Sequence, residues 1–284
     1  MIRQNLALAA LVLAAAGVGS AQTASFSTRV ESVRVDVLVT RDGRPVTGLG
    51  PDDFEVRDNG VMQKVDLVSD DDIPLNVVMV LDMSSSLDAK RIEYLRVAGR
   101  ALLDGMRDVD QAALVSFSHF VSQTAPLTSD FELVRAALDR ASASGQTNLI
   151  DAAFAAMVIG ESSVGRPLLI VFSDGVDSTS WLESEAVLDI AKRTDAVIYS
   201  AAVGGRRLSF LGDLTSATGG RSIEIESAKD LRGTFRAILE EFRQRYLISY
   251  SPEGVTAGGW HRLEVRVRGR GLSVRARPGY LSER

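Results

Sequence analysis

The 284-residue sequence contains no cysteine. Disulfides and thiolate metal sites are therefore excluded, and no lipid-bearing cysteine follows the amino-terminal leader, so the fold must rest on its core, helped at most by a bound ion. Histidine is nearly absent as well, with only His119 and His261. They stand far apart in sequence, and packing or exposure in a loop is the simpler role for each than catalysis or metal ligation. An excess of positive charge is also missing: 32 Lys and Arg against 37 Asp and Glu leave a formal charge of −5, which argues against nucleic acid as the main partner. There is no G-x-S-x-G nucleophile elbow, no G-x-x-x-x-G-K-[ST] phosphate loop and no internal repeat. Beyond the first two dozen residues, no apolar run is long enough to span a bilayer.

What is present begins with MIRQNLALAALVLAAAGVGSAQ, in which Arg3 precedes an apolar run to about Val18 and small residues close at Ala21. This reads as a secretory signal peptide over residues 1–21; an uncleaved anchor is the competing reading, for which the run is short. The expectation is a secreted or periplasmic protein that is not integral to a membrane after cleavage.

Residues 22–72 alternate apolar and polar positions, as in VESVRVDVLVT, with turn chemistry at RDGRPVTG and at Asn59-Gly60. This predicts a small β-rich segment that ends at the acidic junction Asp70-Asp71-Asp72 before Pro74. Over 73–245 the pattern changes to short aliphatic runs, at Val77–Leu81, Ala112–Phe117, Leu168–Phe172, Ala196–Ala202 and Ser222–Ile225, separated by segments of helical period. That alternation predicts an α/β domain with a doubly wound, mostly parallel sheet covered by helices on both faces. Residues 246–284 return to period two, including HRLEVRVRGRGLSVRARPGYL, read as a hairpin turning at Gly269 to Gly271. The economical arrangement is a small β-sandwich built from both chain ends, with the α/β domain inserted between them; an edge extension of the main sheet is the alternative.

The run NVVMVLDMSSSLDAK carries an apolar strand directly into oxygen donors. Ligands of parallel α/β sheets bind beyond the carboxyl ends of the strands. Asp82, Ser84 and Ser86 fall there at alternating positions, PLLIVFSDG delivers Asp174 at a second strand end, and SASGQTNLID offers Thr147 ahead of a helix. Carboxylates and hydroxyls suit a hard divalent cation, Mg²⁺ or Mn²⁺, and two aspartates leave it electrophilic enough to take a further anionic oxygen from outside.

The set Asp82-Met83-Ser84-Ser85-Ser86, Thr147 and Asp174-Gly175 resembles the metal-ion-dependent adhesion site of von Willebrand factor type A domains, over roughly Leu75 to Arg245. The flanks VTRDGRPVTGLGPDDFEVRDNG and RPGY resemble those of acidobacterial-type VWFA-related proteins, an exported group. The resemblance implies that Ser84, Ser86 and Thr147 would supply hydroxyl ligands and that Asp82 and Asp174 would act directly or through water. It further implies that a carboxylate from a protein partner would complete the shell, which is adhesion or assembly rather than catalysis.

Other readings remain. Ser86 can serve merely as the cap of a helix starting near Leu87. An aspartate after a first strand followed by DGVD is also similar to haloacid-dehalogenase-like phosphatases, but Ser84 stands where those enzymes need a second aspartate. An architectural envelope protein with a structural or silent metal site is the other class. Arg262, Arg266, Arg268, Arg275 and Arg277 would stack on one strand face, solvated or in contact with an anionic surface.

Overall fold

The computed structural model describes residues 32–69, 73–161, 164–174, 176–203 and 209–282, all belonging to one compact unit. The expected signal peptide, residues 22–31, the junction Asp70 to Asp72 and Gly175 lie outside the described residues. Five strands come first: β1 (Val33–Arg41), β2 (Arg44–Pro45), β3 (Phe54–Asp58), β4 (Val61–Gln63) and β5 (Val65–Ser69). The next stretch contains β6 (Leu75–Asp82), α1 (Ala89–Leu103), β7 (Gln111–Phe117), β8 (Val121–Thr128), α2 (Phe131–Arg140), α3 (Leu149–Gly160) and β9 (Arg166–Phe172). After these come α4 (Ser184–Ala191), β10 (Val197–Val203), α5 (Ser209–Ala217), β11 (Ser222–Ile225) and α6 (Leu231–Arg243). The chain closes with β12 (Tyr246–Tyr250), β13 (Gly259–Val267), β14 (Leu272–Arg275) and β15 (Gly279–Ser282).

The central sheet has the order β11-β10-β9-β6-β7-β8 and is parallel except for β8, which pairs antiparallel to β7 at the edge. Every residue of β6 is buried, because both faces of its pleat are covered. Val77, Met79 and Leu81 pack into one cluster with Leu95, Leu102, Val134, Leu138, Phe235 and Phe242 from α1, α2 and α6. Val78 and Val80 pack into the other with residues of α3, α4 and α5, among them Ala152, Ala156, Val187 and Leu214. Alternation between two cores, rather than between core and water, is what an uninterrupted aliphatic strand encodes.

Two antiparallel sheets are separate from the central one, β14-β1-β12-β5 and β15-β13-β3-β4, and both contain strands from the two chain ends. They share a cluster that includes Val35, Val37, Phe54, Val56, Tyr246, Ile248 and Leu263. The turn at Asn59-Gly60 joins β3 to β4 with φ of 48° and 82°, the left-handed pair that a two-residue hairpin requires.

The expected hairpin about Gly269 to Gly271 does not form as a pair. β13 bonds to β3 and β15 while β14 bonds to β1, so the turn carries the chain from one sheet to the other. The arginines consequently do not share one face. Arg262 and Arg266 flank Glu264, which pairs with both at 3.6 and 3.4 Å. Arg277 is buried, donating to the carbonyls of Gly279 and Lys192 at 2.9 and 2.7 Å. His261 is a buried strand residue rather than a loop one, with Nδ1 2.8 Å from Asp58 Oδ1.

Asp58 Oδ2 also accepts from the hydroxyls of Tyr250 and Tyr280, each at 2.9 Å. Burial pushes both phenols upward, and it pushes Tyr199 up to about 12. A phenol whose folded value lies above its unfolded one favours the neutral form. Its contribution is complete below about pH 10 and is lost as pH rises through the folded value. Alkaline titration is thus expected to show phenolate absorbance and loss of near-ultraviolet circular dichroism in one shared transition above pH ~10. Separate transitions would show that these tyrosines are not linked to the fold.

Candidate functional site

From β6 the chain moves to β7 on one side and later returns to β9 on the other, so the crevice between β6 and β9 is the switch point of the sheet. Asp82 ends β6 at that crevice and is fully buried. Its Oδ1 accepts from the backbone N–H of Ser84 at 2.9 Å, and its Oδ2 accepts from the Ser173 hydroxyl at 2.6 Å. Ser84 Oγ lies 2.9 Å from Ser86 Oγ, which donates to Asp174 Oδ1 at 2.7 Å. Three of the five residues expected from sequence are thus joined in one arc of oxygens, and a fourth, Asp82, is tied to it through the Ser84 N–H.

The loop of Thr147 is laced to this arc through backbone. Ser85 N donates to Gly145 O at 3.0 Å and Ser144 N to Met83 O at 2.8 Å. Gly145 has φ 76°, and a Cβ there would come within 2.0 Å of His119 Nδ1, so the imidazole from the β7–β8 turn sits directly on that glycine. Thr147 is buried, and its carbonyl accepts from the N–H groups of Ser178 and Thr179 at 2.9 and 3.2 Å. Asp177 accepts from Leu149 N and Ile150 N at 2.7 and 3.2 Å, satisfying the free donors at the start of α3. The stretch after Asp174 is therefore clamped to the stretch around Thr147. Met83 turns its side chain into the core beneath.

Ser86 does not cap α1. Asp88 does, accepting from Arg91 N at 2.8 Å, which leaves the Ser86 hydroxyl to the arc. Two residues at the site carried no signal in the sequence reading. Ser173 holds Asp82, and Arg91 Nη1 donates to Asp174 Oδ2 at 2.8 Å.

Among the described residues no group of three or more His, Cys, Asp or Glu side chains gathers, so the donor set here is two carboxylates and hydroxyls. That set fits a hard octahedral cation. The steps of the arc, 2.9 and 2.7 Å, are hydroxyl hydrogen bonds, and they already hold the three oxygens about as close as adjacent ligands of Mg²⁺, which stand about 3 Å apart. Electrostatics point the same way. Burial, joined by the charge of Asp174, raises the Asp82 carboxyl above its usual range against the opposing hydrogen bonds from Ser173 and Ser84. A cation at the arc offsets both causes.

Residues 77–176 match the family model of the von Willebrand factor type A domain. Among solved structures, the chain is similar to a von Willebrand factor type A protein from Catenulispora acidiphila, at 13% identity and TM-score 0.56 over 89% of this chain and 75% of that one. It is also similar to proximal thread matrix protein 1 from the mussel byssus, at 18% identity and TM-score 0.54 over 64% of this chain and 49% of that one. That mussel protein has also been solved with a zinc-occupied MIDAS motif. At these identities the likeness is one of fold. No curated protein matches the sequence. Among the described residues no helix is long and apolar enough to cross a membrane.

Proposed function

We propose that the von Willebrand factor type A domain carried by this chain is the cation-dependent protein-binding module of an exported protein, with the strands of both chain ends forming a small β-sandwich that carries it. The observation behind this reading is the arc Ser84 Oγ, Ser86 Oγ and Asp174 Oδ1 at 2.7–2.9 Å spacing, set at the switch point of the sheet. Ser84, Ser86 and Thr147 would give hydroxyl oxygens, with Asp82 and Asp174 acting directly or through water, to Mg²⁺ or Mn²⁺. When bound, the ion supplies a Lewis-acidic position for one carboxylate oxygen of a partner protein. The chain's own residues do the rest: Ser173 and the Ser84 N–H hold Asp82, while the 144–147 and 177–180 loops fix the hydroxyls.

Trp181 supports a protein partner. It is 92% exposed, yet its backbone N–H is pinned to Asp151 Oδ2 at 3.0 Å on the rim that follows Asp174. A solvent-exposed tryptophan on a backbone held in place is the kind of side chain that anchors an interface. This reading is preferred to the phosphatase-like alternative because Ser84 stands where that chemistry needs an acid/base carboxylate.

An architectural reading draws on the edge strands β5 and β4, which expose Leu67 and Met62 for pairing with other chains. The two separate on chelation. With a partner captured from envelope extract in Mg²⁺, a chelator is expected to release it while the circular dichroism of the protein persists, and Trp181→Ala is expected to weaken capture about tenfold or more. Retention of the partner in chelator, with only a lower Tm, would instead favour the architectural role.

A further inference from the structure

Arg91 stands in the first turn of α1, where the helix dipole disfavours a cation. Its counter-charge lies outside the helix. Nη1 donates to Asp174 Oδ2 at 2.8 Å and reaches the Ser86 carbonyl at 3.4 Å. The Arg91 side chain is 40% exposed and that of Asp174 only 7%, so the guanidinium covers a nearly buried carboxylate from the solvent side. The other oxygen of the same carboxylate, Oδ1, accepts from Ser86 and belongs to the arc. One carboxylate therefore faces two places for positive charge, one filled by the protein itself.

We propose that Arg91 is the resident counter-cation of Asp174 and sets the divalent-ion affinity of the arc. This rests on the ion-site reading above. A dication entering beside Ser84 and Ser86 meets a like charge only one carboxylate away. Either the guanidinium gives up Asp174 and swings into water, or the two cations share it through separate oxygens under mutual repulsion. Both routes weaken ion binding. Because a guanidinium does not deprotonate in this range, the competition persists at every physiological pH, as it would not with histidine. The site is thereby set to fill only at substantial ion concentration. Once the ion is in place, the displaced fork is free to meet a planar anionic group at the same rim.

The test is calorimetric titration of Mg²⁺, and separately Mn²⁺, into the metal-free protein and its Arg91→Gln, Arg91→Lys, Lys90→Gln and paired Asp82→Ala, Ser84→Ala variants, each checked for folding by circular dichroism. Lys90 is the neighbouring cation, with its ammonium 5.9 Å over the Tyr94 ring, and it controls for the general field. Arg91→Gln is expected to bind the ion about tenfold more tightly than wild type, with the gain shrinking as salt is raised. Arg91→Lys and Lys90→Gln are expected to stay close to wild type, and the paired variant to lose binding. Binding seen in Arg91→Gln alone is the same result in its extreme form. Equal or weaker binding by Arg91→Gln beside a wild type that binds overturns the role of Arg91 and leaves the ion site standing, as does an equal gain in Lys90→Gln. Failure of both wild type and Arg91→Gln to bind overturns the ion site, and this role with it.

Discussion

Mg²⁺ at about a hundred times its dissociation constant is expected to raise the unfolding free energy of the metal-free protein by about 2.7 kcal/mol. For a chain of this size that corresponds to roughly 5 °C in Tm, read by scanning calorimetry. In the paired Asp82→Ala, Ser84→Ala variant the rise should vanish. A further comparison isolates the electrostatics. Asp82 is fully buried and its carboxyl lies above its unfolded range, chiefly through burial. The stability of its protonated form is complete below the unfolded value near 3.8 and is lost as pH rises through the folded one. Without an ion, ionisation of Asp82 therefore opposes folding. Asp82→Asn, which can still accept from the Ser84 N–H, should melt in chelator at least as high as wild type while showing no response to Mg²⁺. A variant that melts lower in chelator and still responds would mean that Asp82 is structural and the ion sits elsewhere.

The second large effect concerns Arg166 and Asp36, an ion pair with side chains 5% and 7% exposed. Arg166 opens β9 and Asp36 lies in β1, so the pair ties the central sheet to the flanking strands. Arg166 Nε donates to Asp36 Oδ1 at 3.0 Å, Nη2 donates to the same oxygen and to the Arg245 carbonyl at 3.1 Å, and the guanidinium lies 4.7 Å from the Phe242 ring centroid. Removing one partner strands the other charge in the interior. Asp36→Ala is expected to cost about 3–5 kcal/mol in urea denaturation, whereas Asp36→Leu combined with Arg166→Met should lie within about 2 kcal/mol of wild type. A loss below about 1 kcal/mol for Asp36→Ala would show that water reaches the site and screens the pair.

How far the sequence discloses this molecule depends on where each residue's partners lie. β6 and β9 were legible because strands buried on both faces need uninterrupted aliphatic sequence, and little else produces LNVVMVLD or RPLLIVF. β8 was not: VSQTAPLT buries only Ala125 and includes Pro126, as an edge strand can, so its composition resembles a loop. The hairpin expected after β13 failed for a different reason. Period two states that a segment is a strand but not which strand it pairs with, and β14 found β1 rather than its neighbour. Within the site, Asp82, Ser84, Ser86 and Asp174 could be read from spacing because strand ends and turns are local. Ser173 and Arg91 could not, since each acts across a contact between segments distant in sequence.

Asp110 adds a mechanical consequence. Its carboxylate accepts from Leu75 N at the start of β6, from Arg107 N, and from Arg243 at the end of α6. Both chain crossings between the central and flanking sheets, before β6 and after α6, thus lie at the end of the sheet opposite Asp82. A load hung on the rim and resisted by the flanking strands pulls lengthwise along β6. That strand is held by parallel ladders to β7 and β9 on both sides. Tension in this direction shears many backbone bonds together instead of peeling them one at a time.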